Sequence, residues 1–288
     1  NGIRVNTPKL KYNNELKFEH LKINNSAIEK FCKNLELSKI VLPEWKEEPF
    51  LVTETKNDIS FFFLINTINF SYWSDENFSK WIISYNGNKY SGSFALFACI
   101  KRAFENNYPI FNPKYLKDIT EKDLKNILCE AEEIPMFHTR LEVLREIGNN
   151  MFNNEIKSFY EILKKADSSA IKLITLLDSL FPSFRDVGYY NDSLYHFYKR
   201  AQLIPSMLYG RYRGKNAGFF NDIDQLIIFA DYRVPQTLRK LGLIEYSDYL
   251  SNKIKNKEYL GSGSKEELEM NFFNEIQFLL KSKLRKEL

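Results

Sequence analysis

Histidine and cysteine are scarce in this chain, three of each in 288 residues. His20, His138 and His196 are scattered, and Cys32, Cys99 and Cys129 match no zinc-ligand spacing, so no metal is expected. An odd number of cysteines on stretches patterned like helix faces points to buried free thiols in a reducing compartment. Long apolar runs are lacking too. The longest, Ile59 to Ile65, is far too short to span a bilayer. The opening stretch, Asn1 to Lys11, is polar and carries no secretory pattern, so a cytoplasmic protein with no membrane partner is expected. Several chemistry-bearing signatures are missing from the sequence: G-x-G-x-x-G after a strand, the phosphate-binding P-loop, G-x-S-x-G and H-E-x-x-H. Hydride transfer, P-loop nucleotide hydrolysis, serine hydrolysis and zinc proteolysis are set aside with them.

What is present is an ordinary globular balance, 44% hydrophobic and 27% charged, with length for one large domain or two small ones. Aromatics reach 15%, led by 24 Phe and 17 Tyr, which means a bulky core by default or a surface that stacks flat ligands. The net charge of +4 suits a small anionic ligand. It is too weak for a dedicated polymer binder, so no stable nucleic-acid complex is expected.

The pattern along the chain predicts a mainly α protein. Residues 1–16 read as a flexible arm and 17–288 as a single helical domain, with 17–92 a candidate sub-domain. Ser26 to Glu29 has the form of a capping box opening a helix to about Leu35, and Ser264 to Glu267 another. Ile59 to Ile65 is a buried strand or a buried helix, which periodicity cannot decide. Trp81–Tyr85 and Lys89–Ser91 flank Asn86-Gly87-Asn88, the signature of a small β-hairpin. Helical spacing then runs through Ser93–Asn106, Asp118–Cys129, Arg140–Phe152, Glu155–Ala166, Ser169–Leu180, Tyr195–Leu208, Asp222–Phe229, Val234–Leu241 and Lys265 to about Leu284.

Four polar-aromatic clusters could carry chemistry. In Asn69 to Asp75, Trp73 beside Tyr72 offers a wall for a planar base, or a packed corner. Phe181 to Asp186 reads as a surface turn with a solvated Arg185–Asp186 pair. In His196 to Gln202, Lys199 and Arg200 could aim cations at a phosphate with Tyr198 donating a hydrogen bond; a solvated basic edge is the equal alternative. The fourth cluster spans Phe219 to Gln236 and packs Asp222, Asp224 and Asp231 among Phe219, Phe220, Phe229, Tyr232 and Arg233. Asp222 or Asp224 could simply cap a helix there. A carboxylate in an apolar pocket is also what cleavage of a glycosidic bond requires, because positive charge builds on the sugar as the bond breaks.

Phe197–Gln202, Phe220–Ile223 and Phe229-Ala230-Asp231-Tyr232-Arg233-Val234-Pro235-Gln236 resemble the queuosine 5'-phosphate N-glycosylase (queuosine salvage) family. Ile68–Trp73, Tyr90–Gly92, Phe181–Asp186 and Gly261–Glu267 fit in the same order, from about Ile59 to about Glu269. The resemblance implies a helical fold similar to helical DNA glycosylases. It implies hydrolysis of queuosine 5'-monophosphate, a small-molecule partner, to queuine and ribose 5-phosphate without a metal; a monomer with no cofactor is expected beside it. Asp222 would contact the substrate near the scissile bond and Phe220 would line the base pocket. Lys199 and Arg200, with Tyr198, are assigned to the phosphate on charge and position. Asp231, Tyr232 and Arg233 are expected to bind substrate, with an internal Asp231–Arg233 ion pair that shapes the pocket as the alternative, and Trp73 is expected to be a further binding residue. The family is expected to continue into an acidic, aromatic segment that supplies a second carboxylate. Here the chain ends at Leu288 after the basic stretch Lys281 to Lys286, and the second carboxylate is left open. The alternatives are a glycosylase acting on a base within DNA or RNA and a non-catalytic RNA-binding module.

Overall fold

The apolar run that periodicity leaves undecided is a helix. In the computed structural model, which describes residues 17–74, 79–128, 133–261, 263–272, 277 and 280, Ile59 to Ile65 sits inside a helix buried on every side. A segment with no polar face cannot pair one edge with water, so a continuously wrapped helix is its solution. The expected arm, 1–16, the basic stretch from Lys281 to Lys286, and Cys129 lie outside the described residues.

In chain order the elements begin with β1 (Leu21–Ile23), α1 (Asn25–Asn34), α2 (Thr55–Thr67), β2 (Ile82–Tyr85), β3 (Asn88–Ser91) and α3 (Ser93–Glu105). Next come α4 (Pro113–Asp118), α5 (Glu121–Leu128), α6 (Phe137–Asn153), α7 (Phe159–Lys165), α8 (Ala170–Leu180), β4 (Val187–Tyr190) and β5 (Ser193–His196). The chain continues through α9 (Lys199–Tyr212), α10 (Arg233–Lys240), β6 (Ile244–Tyr246), α11 (Asp248–Lys255) and α12 (Lys265–Asn271). The fold is mainly α, and its strands pair as three small antiparallel sheets: β1 with β6, β2 with β3, and β4 with β5. Among the described residues no helix is long and apolar enough to cross a membrane.

Several local expectations are corrected. Asn24, not Ser26, caps α1, accepting from the Ala27 amide at 3.0 Å. The helix expected from Asp118 begins instead at Glu121, as α5, and Asp118 ends a separate helix, α4, that was not expected. Tyr195 and His196 are strand, not helix, because Asn191 and Asp192 (φ 46° and 60°) form a tight turn between β4 and β5. Asp222 to Phe229 holds a short 3-10 turn, Ile223–Gln225, instead of an α-helix. The hairpin at Asn86-Gly87 is as expected, with both residues at positive φ.

The described residues form two compact units, one of Leu42–Arg185 with Arg200–Asp224, the other of 17–41 with Asp186–Lys199 and the chain from Gln225 onward. In the first unit Phe61, Phe62 and Phe63 of α2 are fully buried, and Phe63 packs on Phe159 of α7 with ring centroids 5.4 Å apart. Helices α4 and α6 touch through Gly148, where a Cβ would come within 2.1 Å of the Lys117 amide nitrogen. A buried ion pair, Arg211 to Asp58 at 2.6 Å, ties α9 to α2. In the second unit Leu21, Ile28, Leu238 and Ile244 form one apolar cluster, and Tyr190, Phe197, Leu268 and Phe272 another. Gly188 of β4 lies against Leu268, leaving no room for a side chain. The buried Glu269 of α12 accepts from the Glu19 and His20 amides and from the Tyr190 hydroxyl, at 3.0, 2.6 and 2.8 Å.

Candidate active site

The predicted site residues fall into two groups, each inside one unit. In the first unit the turn after α7 runs through Asp167 and Ser168, consecutive non-glycine residues at φ 52° and 59°. Left-handed conformations cost energy for L-residues and tend to mark functional positions. Ser168 offers its carbonyl to the Asn221 amide at 2.8 Å, which fastens Phe220–Asp222 against the start of α8. Asp222 then accepts from the Ser169 hydroxyl and the Ala170 amide, both at 2.6 Å, and from the Ile171 amide at 3.3 Å. A carboxylate at a helix N-terminus meets the unsatisfied amides and the positive end of the dipole. Asp222 therefore caps α8, whereas the sequence suggested a cap on the stretch that follows it. Of about four acceptor positions on a carboxylate, three are filled by these donors.

Phe220 is buried and, with the exposed Phe219, lines a cleft of about 410 Å³ together with Thr55, Tyr160, Asp167 and Ser168. Arg200 belongs to the same unit. Its guanidinium donates to the carbonyls of Thr67 and Ser183 and lies 5.1 Å from the Phe70 ring and 5.3 Å from the Phe184 ring. These bonds make it a tie between α2, the turn after α8 and α9. Trp73, also in this unit, is exposed and paired in a β-bridge with Lys80.

The second unit holds Tyr198, Lys199, Asp231, Tyr232 and Arg233. Tyr198 is buried, stacked on His196 at 5.1 Å, and sits at φ 49°, a conformation rare for a bulky residue. The Lys199 amide donates to Asp186 at 3.1 Å, and its ammonium meets Asp231 at 2.8 Å. The internal ion pair is therefore Lys199 with Asp231. Arg233 gives Asp231 its main-chain amide at 2.9 Å, while its guanidinium lies 5.8 Å from the Tyr232 ring. Burial alone would raise the Asp231 carboxyl, but the charge and hydrogen bond of Lys199, with Arg233, outweigh it and hold Asp231 below the usual carboxylate range. The expected solvated Arg185–Asp186 pair is corrected: Arg185 pairs with Asp178 at 3.1 Å, and Asp186 orients Lys199. Ser169, which orients Asp222, was passed over in the sequence. The cluster Asp167-Ser168-Ser169, polar residues between two apolar-patterned helices, was the available signal. No group of three or more His, Cys, Asp or Glu among the described residues could hold a metal ion.

The family model described as queuosine salvage protein matches residues 50–274. The chain is 33% identical over 248 residues to the queuosine 5'-phosphate N-glycosylase/hydrolase of Sphaerobacter thermophilus, covering 86% of this chain and 76% of that protein. It is 34% identical over 247 residues to the protein of the same name from Nematostella vectensis, covering 85% and 71%. With that of Bos taurus it shares 35% over 214 residues, covering 74% and 63%. The matched region takes in every candidate residue above, from Trp73 to Arg233, and the chain belongs to the queuosine salvage protein family.

Proposed function

We propose that this chain hydrolyses the N-glycosidic bond of queuosine 5'-monophosphate, releasing queuine and ribose 5-phosphate so that the base can be reused in tRNA modification. The observation that carries the reading is the run of relatives named for this activity, 33–35% identical across most of the chain. We read the two units as parts of one glycosylase-like domain, 17–288, because the family match runs through both.

In the reaction the C1'–N bond breaks, its electron pair leaves with the base, and water adds at C1', one of its protons ending on the base. Positive charge on the ribose peaks before water bonds. Asp222 is the carboxylate we assign to that charge. Three donors fix its position, and the remaining acceptor position can face the sugar or the water. A fixed negative charge needs no reorganisation as the bond breaks, which is the source of its catalytic value. Phe220 lines the base pocket and Trp73 stacks the base.

We assign Lys199 to the phosphate. Its ammonium has three donors and uses one on Asp231, so it can hold a phosphate oxygen while Asp231 keeps it aimed. Tyr198, Tyr232 and Arg233 complete that side. Arg200, committed to two carbonyls, serves the phosphate by fixing the start of α9. Incubation of the purified protein with queuosine 5'-monophosphate, with the products separated by chromatography, tests the reading. Queuine and ribose 5-phosphate in equal amounts are expected. Recovery of intact substrate overturns the assignment.

A further inference from the structure

The segment Ile68–Trp73 leaves the end of α2 and carries the exposed indole of Trp73, 47% accessible. Its main chain is gripped by Arg140 of α6, a fully buried arginine. The guanidinium donates to the carbonyls of Ile68, Phe70 and Ser71, and its Nε donates to that of Pro135 at 3.2 Å. It also lies 4.4 Å from the Phe70 ring and 5.2 Å from the Tyr72 ring. Arg200 meets the same Phe70 ring.

Burying a cation is costly, and an apolar side chain fills such a volume at lower cost. What the arginine adds is geometry, since its planar fork fixes three carbonyls and two rings at once. Burial is the main cause that pulls the guanidinium down to about 10; Tyr72 opposes it and the charge of Arg200 reinforces it. Ser71 stands at φ 43°, a strained conformation that persists where the surroundings over-determine it. The bond to its own carbonyl is such a constraint. One residue further, the Tyr72 carbonyl accepts from the Trp81 amide at 2.8 Å, and Trp73 follows.

A second set of contacts holds the Trp73 main chain and flanks its ring. Trp73 bridges Lys80, whose ammonium lies 5.8 Å from the ring centroid. Gly92 makes room for that lysine: at φ 62° it has no Cβ, and one there would stand 2.4 Å from Lys80 Cε. An exposed aromatic held on both flanks of its chain is pre-organised to stack a flat ligand with little ordering cost.

We propose that Arg140, though too buried to touch a substrate, is the positioning residue that sets Trp73 as the stacking platform for the leaving base, with Lys80 bridging Trp73 and Gly92 leaving room for that lysine. The proposal rests on the nucleotide-hydrolase reading above. It is tested with Arg140→Lys, Trp73→Ala and the double variant, each checked for folding by circular dichroism. Lysine keeps the charge and loses the fork. Arg140→Lys should raise KM for queuosine 5'-monophosphate about tenfold, the size of one lost base stack, and leave kcat within about threefold. The double variant should have the KM of Trp73→Ala alone, because both changes remove one interaction. A folded Arg140→Lys with wild-type KM, or multiplying effects in the double variant, overturns the proposal.

Should Arg140→Lys not fold, Phe70→Leu removes the ring between the two arginines and carries the same KM expectation and the same overturning result. Quenching of tryptophan emission by queuine, taken as the difference between the protein and Trp73→Phe, separates this proposal from the reaction assignment. If the wild type hydrolyses nothing, the reaction assignment fails. The positioning role then stands if Trp73-dependent quenching by queuine weakens about tenfold in Arg140→Lys, and falls if that quenching is missing or unchanged.

Discussion

Asp222 caps α8, and the catalytic duty we propose for it can be separated from that one by substitution. Ser169→Ala removes the hydroxyl that caps α8 alongside Asp222, and with it one bond to Asp222, and should lower stability by about 1 kcal/mol while most activity survives. The urea midpoint and a steady-state assay read the two effects. Asp222→Asn keeps the shape and removes the charge, and should lower kcat by about a hundredfold or more. Near-normal turnover in Asp222→Asn would leave it only as a cap. Asp231 carries a pH signature. Its native value is depressed below the unfolded one, near 4, so the Lys199 pair adds stability that is complete above about pH 4 and is lost as pH falls through the native value. Asp231→Asn should therefore be the less stable protein at neutral pH, with the gap closing in acid. A gap that does not change with pH would mean that the pair is not its source.

At the scale of elements, Gly148→Ala tests the contact of α4 with α6. A methyl there meets the Lys117 and Leu116 main chain, which cannot step aside as a side chain can. We expect a loss of about 1–3 kcal/mol or more, seen in chemical denaturation; wild-type stability would contradict the contact. Much of this architecture was readable from the sequence, for stated reasons. Asn86-Gly87 specifies its hairpin locally, and Ser264 caps α12 as expected, accepting from Glu267 at 3.2 Å. The second hairpin was within reach, since Asn191-Asp192 is also a turn pair, but the apolar spacing after Tyr195 imitated a helix. The β1–β6 pairing was not legible: Leu21 to Ile23 meet Ile244 to Tyr246 across most of the chain, and strands of three residues carry no period. Among the candidate site residues, the sequence singled out Asp222, Lys199 and Asp231, each of which makes a specific polar contact in the structure. It could not show that Lys199, not Arg233, is the ion partner of Asp231, because that depends on where the start of α9 meets the residues just before α10.

For the whole molecule, the +4 net charge fits a small anionic substrate. Its kcat/KM should fall only a few-fold between about 50 and 200 mM salt, whereas a binder of a polymer with many phosphate contacts would lose about a thousandfold. A steep salt slope would redirect attention to nucleic acid. The most direct measurement compares kcat/KM for queuosine 5'-monophosphate, queuosine and guanosine 5'-monophosphate on the wild type and on Lys199→Met. The wild type should prefer the modified nucleotide over both others, and Lys199→Met should erode the preference over queuosine by about tenfold, one charge-assisted bond. Equal rates on all three, or a Lys199→Met protein that still distinguishes nucleotide from nucleoside as well as the wild type does, would contradict this expectation.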